Sequence, residues 1–461
     1  MPSNLPTRSA GAAFARAAAR LGIVLLGAGC ASARPEQRMA VTTAEGRLVP
    51  LDSVTTSYTV GGVRVIQRPN YANDAVAVNL YLLGGTRQLT PATQGIESLL
   101  LHVAEYGSAS YPRGVSRTAW GLTGSRLVID PESDWTLYGF RGIRQEFDSS
   151  WNILADRLMH PTLQPADVEL VRSRLIARIR QRKDDPDGYV SLLADSVAFW
   201  GHPYGLQPDG TEATLAALDS AALARYAAEQ MVTSRMLLVV VGEVPRQTIE
   251  AAIQRTLAKL PAGSYTWTLP ALKTRTASDV AFVPRSLATN YVLGFFQGPP
   301  TSADDYPAFR VAVAFLSSMI NHSVREERGL SYSAMAPYLE RGITTGAIYV
   351  TTTQPARVMP IIRAQIDTLR NIPSGISLHY FTDQFIMDYF AENMTNAAQA
   401  DFLARAQLYR GDYHRATQSM EDLRGVGVYQ MRTAASRYFR NIHFVYIGDT
   451  TRVERKAFTA F

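Results

Sequence analysis

Apolar positions along this chain fall into two rhythms, a period of two and a period near 3.6, separated by Gly- and Pro-rich punctuation. Ser57 to Arg68 (SYTVGGVRVIQR) predicts two short strands around a Gly61-Gly62 turn. Val76 to Leu83 (VAVNLYLL) alternates, is rich in β-branched residues and predicts a strand closed by Gly84-Gly85. Gly95 to Tyr106 switches to the helical period, with Leu99, Leu100 and Val103 on its apolar side. Ser125 to Phe140 predicts two strands across Pro131-Glu132-Ser133, followed by helices at about 144–158, 165–182 and 188–199. The last two bracket the breaker Asp184-Asp185-Pro186-Asp187-Gly188. A helix near 219–230 leads into Met236 to Val241 (MLLVVV), whose unbroken apolar run predicts a fully buried strand.

The second half repeats this order. A strand at Asn290 to Phe296 ends at Gln297-Gly298-Pro299, and a helix follows at about 304–322. A strand at Gly346 to Thr353 and a helix at 355–370 come next. Tyr438 to Asp449 echoes Tyr226 to Glu243. The paired glycines Gly242 and Gly448 lie 206 positions apart, and Gly85 and Gly298 lie 213 apart. Two offsets this close predict a duplicated unit of about 200 residues, with chance similarity as the competing explanation. Residues 257–280 are irregular and contain proline, which predicts a linker between a first domain at 51–256 and a second at 281–461.

Composition is ordinary for a globular chain: 46% hydrophobic and 19% charged over 461 residues. The formal charge of +6 includes Arg8, Arg16 and Arg20, in a 29-residue opening with no Asp or Glu; removing that segment lowers it to +3. So mild an excess, with no basic run interleaved with aromatics, argues against a nucleic-acid partner. The opening has a basic stretch, a short apolar run (Leu21 to Ala28) and small residues before Cys30, the one cysteine. That is a secretory signal at 1–29. A cysteine just after the cut reads as a lipidation site, with residues 30–50 as the tether of a lipoprotein. Gly27 departs from the usual Leu or Val, and an ordinary signal with an incidental cysteine is the competing reading. The run is too short for a bilayer span. Ser32, in place of an aspartate after the anchor, points to the outer membrane of a bacterial envelope.

Five phrases in order resemble the insulinase/pitrilysin metallopeptidases over about 50–455. They are Gly84-Gly85-Thr86-Arg87, the frame from Gly95 to Gly107-Ser108, His202-Pro203-Tyr204-Gly205, Val241-Gly242-Glu243, and Arg325-Glu326-Glu327-Arg328-Gly329-Leu330-Ser331-Tyr332. The resemblance implies an α+β fold of two duplicated domains, each a mostly antiparallel sheet packed with helices. Family enzymes hold zinc on an inverted H-x-x-E-H helix plus a more distant Glu, with the first Glu activating water. Counted without a gap from Gly95, the first His position is Ser98, the general-base position is Leu101, and only the second His persists, as His102. The distant ligand position falls on Arg178. A guanidinium has no lone pair for a metal and Leu101 carries no proton, so the resemblance implies a chain that binds no metal and is not catalytic alone. A gapped alternative spells His102-Val103-Ala104-Glu105-Tyr106 and would put His102 and Glu105 on one ion.

In the family, an Arg–Tyr pair from the second half faces the zinc helix of the first half and polarises the substrate carbonyl. Here the pair maps to Arg325 and Tyr332. Some bacterial members divide the two functions between separate chains. The resemblance therefore implies a substrate-binding subunit, through Arg325 and Tyr332, of a heterodimeric peptidase. Its zinc would sit in the partner chain, and a peptide would occupy the shared chamber. A stand-alone envelope peptide-binding or scaffold protein, and a peptidase with an unconventional metal set at His102 and Glu105, are the alternatives.

Overall fold

The structure, a computed structural model, describes residues 40–42, 48–269, 271 and 276–461. The signal segment and Cys30 lie outside the described residues. Two six-stranded sheets organise the chain. The first is built from β1 (Thr56–Val60), β2 (Val63–Arg68), β3 (Ala75–Leu83), β4 (Arg126–Pro131), β5 (Trp135–Ile143) and β6 (Met236–Val241), in the order β1-β2-β6-β3-β5-β4. The second contains β7 (Asp279–Pro284), β8 (Asn290–Gln297), β9 (Ser333–Met335), β10 (Thr345–Thr352) and β11 (His443–Gly448), in the order β9-β10-β8-β11-β7. The two-residue strand Tyr338–Leu339 also pairs with β10. Each sheet has one parallel pairing, β2 with β6 and β7 with β11. The other pairings are antiparallel.

The duplication extends to backbone detail. Gly242 and Gly448 each follow or close the strand beside the parallel partner, at φ +140° and +145°. A Cβ on Gly242 would meet the Ala75 carbonyl, where β3 begins. On Gly448 it would meet Asn290, where β8 begins. One steric constraint thus fixes both glycines at equivalent points. The other pair differs: Gly85 lies at φ +50°, whereas Gly298 is not among the positive-φ glycines.

Both faces of each sheet are covered, which explains the unbroken apolar run of β6. Met236, Leu238 and Val240 join the core around α1 (Ile96–Ala104). Leu237, Val239 and Val241 face the opposite way, onto a helix from the second half. Of the other helices near the site, α2 is Pro165–Asp184, α3 Pro186–Ala198, α4 Tyr306–Ile320 and α5 Asn396–Arg410. The halves exchange covers. From the first half, α3 lays Val190 and Ala194 against Leu293, Phe295, Val445 and Ile447 of the second sheet. From the second half, α5 lays Ala400, Leu403 and Ala404 against Ile66, Tyr81 and Leu237 of the first.

Several sequence expectations need correction. Helices Val115–Leu122, Arg246–Arg255, His379–Glu392, α5, Arg415–Arg424 and Val428–Tyr438 were not expected. The α5 sequence NAAQADFLARAQLYR carries small residues rather than a bulky stripe, so its periodicity is weak although its Ala face is buried. Inside the stretch read as an irregular tether, Ala40–Thr42 pairs with Leu48–Pro50. The interdomain stretch docks rather than dangles: Trp267 packs near Trp135 and Tyr409 and donates from Nε1 to the Leu408 carbonyl at 2.8 Å.

Polar contacts bind the seam. Asp134, 1% exposed, accepts from the hydroxyls of Tyr204 (2.6 Å) and Tyr409 (2.8 Å) and from the Gly342 N–H (2.8 Å), with Arg87 at 3.5 Å. Glu132 lies beside it, near Arg405 at 3.6 Å. Its side chain keeps 39% of its surface open, yet neighbours crowd it from both halves. That crowding raises its carboxyl to about 7, against Arg405 and with help from Asp130, Asp401 and Asp134. A carboxyl that holds its proton more tightly when folded favours the fold at low pH. The contribution is fully present below the ordinary 4.5 and is lost as pH rises through about 7. Replacing Glu132 with Gln is expected to flatten this part of a stability–pH profile, measured by urea unfolding between pH 4 and 8. An unchanged slope in the variant would count against the assignment.

Candidate functional site

The helix α1 starts where two glycines meet. Gly95, at φ +83°, lets the chain turn, and a Cβ there would strike Gly210 and the Asp209 carbonyl. That close approach brings Asp209 over the first turn of α1. Ser98, fully buried, donates from its hydroxyl to Asp209 Oδ1 at 3.1 Å. Leu101, 1% exposed, belongs to the apolar core. His102 is half-buried, and its Nδ1 donates to the Ser98 carbonyl at 2.8 Å, one turn back. Glu97, also buried, is taken up by Arg235 at 3.0 Å and by the Tyr226 hydroxyl at 2.8 Å.

The neighbouring helix α2 opens with Pro165 at its first turn and buries Val168, Val171, Leu175 and Ile179 along one face. It runs antiparallel to α1, as two contacts show. Arg174 bonds and stacks on Tyr106 just past the C-terminal end of α1, with the guanidinium 5.6 Å from the ring centre. Arg182 approaches Asp209, the partner of Ser98 at the N-terminal end, at 3.7 Å. His102 and Arg178 fall between these contacts along the two packed helices, each one turn in from Tyr106 and Arg174 respectively. The structure therefore gathers Ser98, Leu101, His102 and Arg178 at one helix pair. Sequence reasoning missed the roles of Arg174, Tyr106 and Asp209 here. The four-residue spacing of Arg174 from Arg178 and of Tyr106 from His102 was the available signal.

These residues do not fit a zinc ion. One imidazole nitrogen of His102 is the lone-pair donor left at the H-x-x-E-H positions. The Ser98 hydroxyl is tied to Asp209, Leu101 is hydrocarbon, and Arg178 is a fixed cation. Among the described residues, no three His, Cys, Asp or Glu side chains converge as a metal would need. For the gapped alternative, among the described residues no third His, Cys, Asp or Glu joins His102 and Glu105, and Tyr106 is held by Arg174.

Arg325 and Tyr332 come together in the second half. The helix α4 runs on into a π-helical turn, Asn321–Glu326, that carries Arg325. Gly329, at φ +59°, then stops it. Its N–H bonds the Arg325 carbonyl at 3.0 Å, and the Leu330 N–H bonds the Val324 carbonyl at 2.9 Å. The bond from the left-handed Gly329 to Arg325 is that of an αL terminator, with buried Val324 and Leu330 beside it. A Cβ on Gly329 would meet nothing within 4 Å, so Gly329→Ala is expected to cost only the left-handed strain of about 1 kcal/mol. Thermal melting measures it, and a neutral or stabilising effect would contradict the assignment. Beyond the turn, Arg325 lies 5.2 Å over the Tyr332 ring, and Tyr332 is 82% exposed. Among the described residues, no hydrogen bond joins this pair to α1 or α2.

The chain thus has two α+β units, with the α1–α2 helix pair on the first and the Arg325–Tyr332 contact on the second. The model of the "Peptidase M16 inactive domain" matches residues 217–377. An uncharacterized zinc protease of Bacillus subtilis, YmxG, is 23% identical over 183 residues, 40% of this chain and 45% of its own. The chain thus spans less than half the length of that relative. An uncharacterized zinc protease of Rickettsia felis is 24% identical over 60% of this chain and 68% of its own. Among solved structures, a protease from Helicobacter pylori superposes with a TM-score of 0.76 at 16% identity, over 86% of this chain and 99% of that one. A peptidase M16 inactive domain from Pseudomonas fluorescens gives 0.76 at 17%, over 86% and 98%. The periplasmic protease PqqL from Escherichia coli gives 0.71 at 15%, over 89% of this chain but 50% of that one. Residues 217–377 thus resemble a peptidase M16 inactive domain, and the fold is shared with the solved M16 inactive domain from Pseudomonas fluorescens. Among the described residues, no helix is long and apolar enough to cross a membrane.

Proposed function

We propose that this chain is the non-catalytic subunit of a two-chain, zinc-dependent peptidase at the cell envelope, anchored through lipid on Cys30. One observation carries the reading. Tyr332, stacked with Arg325, is 82% exposed and no hydrogen bond among the described residues joins the pair to the chain's own α1, where His102 is the one side chain of ligand type left at the family's metal positions. A guanidinium and a phenol are donors suited to a carbonyl oxygen gaining negative charge, and they need a metal-bearing helix supplied from outside. The superposition on half of the periplasmic protease PqqL is consistent with an envelope location. Peptide would enter as an added strand on β4, the open edge of the first sheet, which packs against α1.

The test is a pull-down of the tagged, acylated protein from its own cells. The expected result is a zinc-motif homologue in equimolar amount, with zinc assigned to that partner by mutating its ligands. Stoichiometric zinc held by this polypeptide alone, with turnover, overturns the reading. A monomer that captures no homologue overturns it as well.

A further inference from the structure

The mismatch between this site and zinc has a chemical consequence. The stretch Arg172 to Lys183 of α2 carries six cations, and four of them are spoken for. Arg172 pairs with Glu169 and bonds the Leu218 carbonyl. Arg180 and Lys183 share Glu212, at 2.8 and 2.9 Å. Arg182 approaches Asp209 at 3.7 Å. The two without a carboxylate among the described residues are Arg174 and Arg178. They stand one turn apart, on the side facing Tyr106 and His102. Arg174 has only the Tyr106 hydroxyl and ring, and half-buried Arg178 has no hydrogen bond or ion pair among the described residues. The nearby carboxylate, Asp209, is already engaged by Ser98 and Arg182.

We propose that His102, Arg174 and Arg178 form a carboxylate-binding slot, which holds an acidic group of a peptide lying along β4. The position that holds a dication in the family's enzymes thereby becomes a fixed organic cation. Two guanidinium forks one helical turn apart, Arg174 exposed and Arg178 half-buried, suit a two-oxygen anion. The imidazole of His102 is oriented by its bond to the Ser98 carbonyl, which leaves the second ring nitrogen for the ligand or a bridging water. The slot is proposed as a binding site, since the general-base position of the family's helix is the hydrocarbon Leu101. This deepens the peptide-chamber reading of the same face but needs no second chain.

The test uses the purified chain, without a partner, and fluorescein-labelled ten-residue peptides of Thr and Val. One peptide carries a single central Glu, one carries Gln in its place, and both are amidated at the C-terminus. A third has Gln with a free C-terminal carboxylate. Charge-assisted pairing predicts about tenfold tighter binding of a carboxylate peptide than of the amidated Gln peptide by anisotropy. A preference for the Glu peptide identifies an acidic side chain as the source, and a preference for the third peptide identifies a chain terminus. The preference should vanish in the double variant Arg174→Ala/Arg178→Ala and survive in part in Arg178→Lys. Equal affinities for all three peptides, failure of any to bind, or a preference retained in the double variant overturns the proposal. Because no partner is present, these results are independent of whether a heterodimer exists.

Discussion

Replacing Asp134 with Ala is expected to lower the stability of the chain by about 3–5 kcal/mol, the usual cost of stranding the partners of a buried charge. The carboxylate lies between the halves and satisfies donors from both: Tyr204 and Arg87 from the first, Tyr409 and the Gly342 N–H from the second. Without it, two tyrosine hydroxyls and a backbone N–H lose their acceptor in a seam closed to water. Asp134→Asn should lose less, because its amide oxygen still accepts while its NH₂ meets a donor. Tyr409→Phe should lose about 1.5–3 kcal/mol, the range for one hydrogen bond to a charged group. Urea unfolding followed by tryptophan fluorescence reads all three, since Trp135 and Trp267 lie beside Tyr409. If Asp134→Ala unfolds within about 1 kcal/mol of the parent, the seam is held by apolar exchange alone.

The second large effect is catalytic and belongs to the assembled pair. The double variant Arg325→Ala/Tyr332→Phe is expected to reduce kcat of the reconstituted peptidase by about 10²–10³, the size of losing oxyanion donors. Association with the partner should be unchanged. Tyr332 is exposed, Arg325 is half-buried and neither belongs to the apolar core, so the fold should melt as before. Donors that act only as charge builds on the carbonyl lower kcat and kcat/KM together, whereas simple peptide contacts would raise KM alone. Full activity in the double variant would remove these residues from the reaction.

What could be read from residue order alone was extensive for the fold and narrower for the site. The strands were legible because their apolar residues alternate or run unbroken between glycines, as in VAVNLYLL and MLLVVV. The duplication was legible through Gly242 and Gly448, whose equal backbone angles show why glycine stands at both points. At the metal-helix positions the sequence itself shows a hydroxyl, a hydrocarbon and a guanidinium, at Ser98, Leu101 and Arg178, where the resemblance called for a ligand, a base and a ligand.

Tertiary structure alone decided how those pieces meet. Nothing in the local pattern shows that α3 covers the other half's sheet and α5 covers the first, because a small-residue face gives little periodic signal until its partner is known. The environment of Asp134 draws on residues up to 275 positions away in sequence. Which arginines of α2 are paired was likewise a matter of space: Glu212 and Asp209 reach it from a separate loop and helix start, and leave Arg174 and Arg178 open. A sequence states which charges a chain carries. Only the packed fold determines which of them neutralise one another and which remain for a ligand.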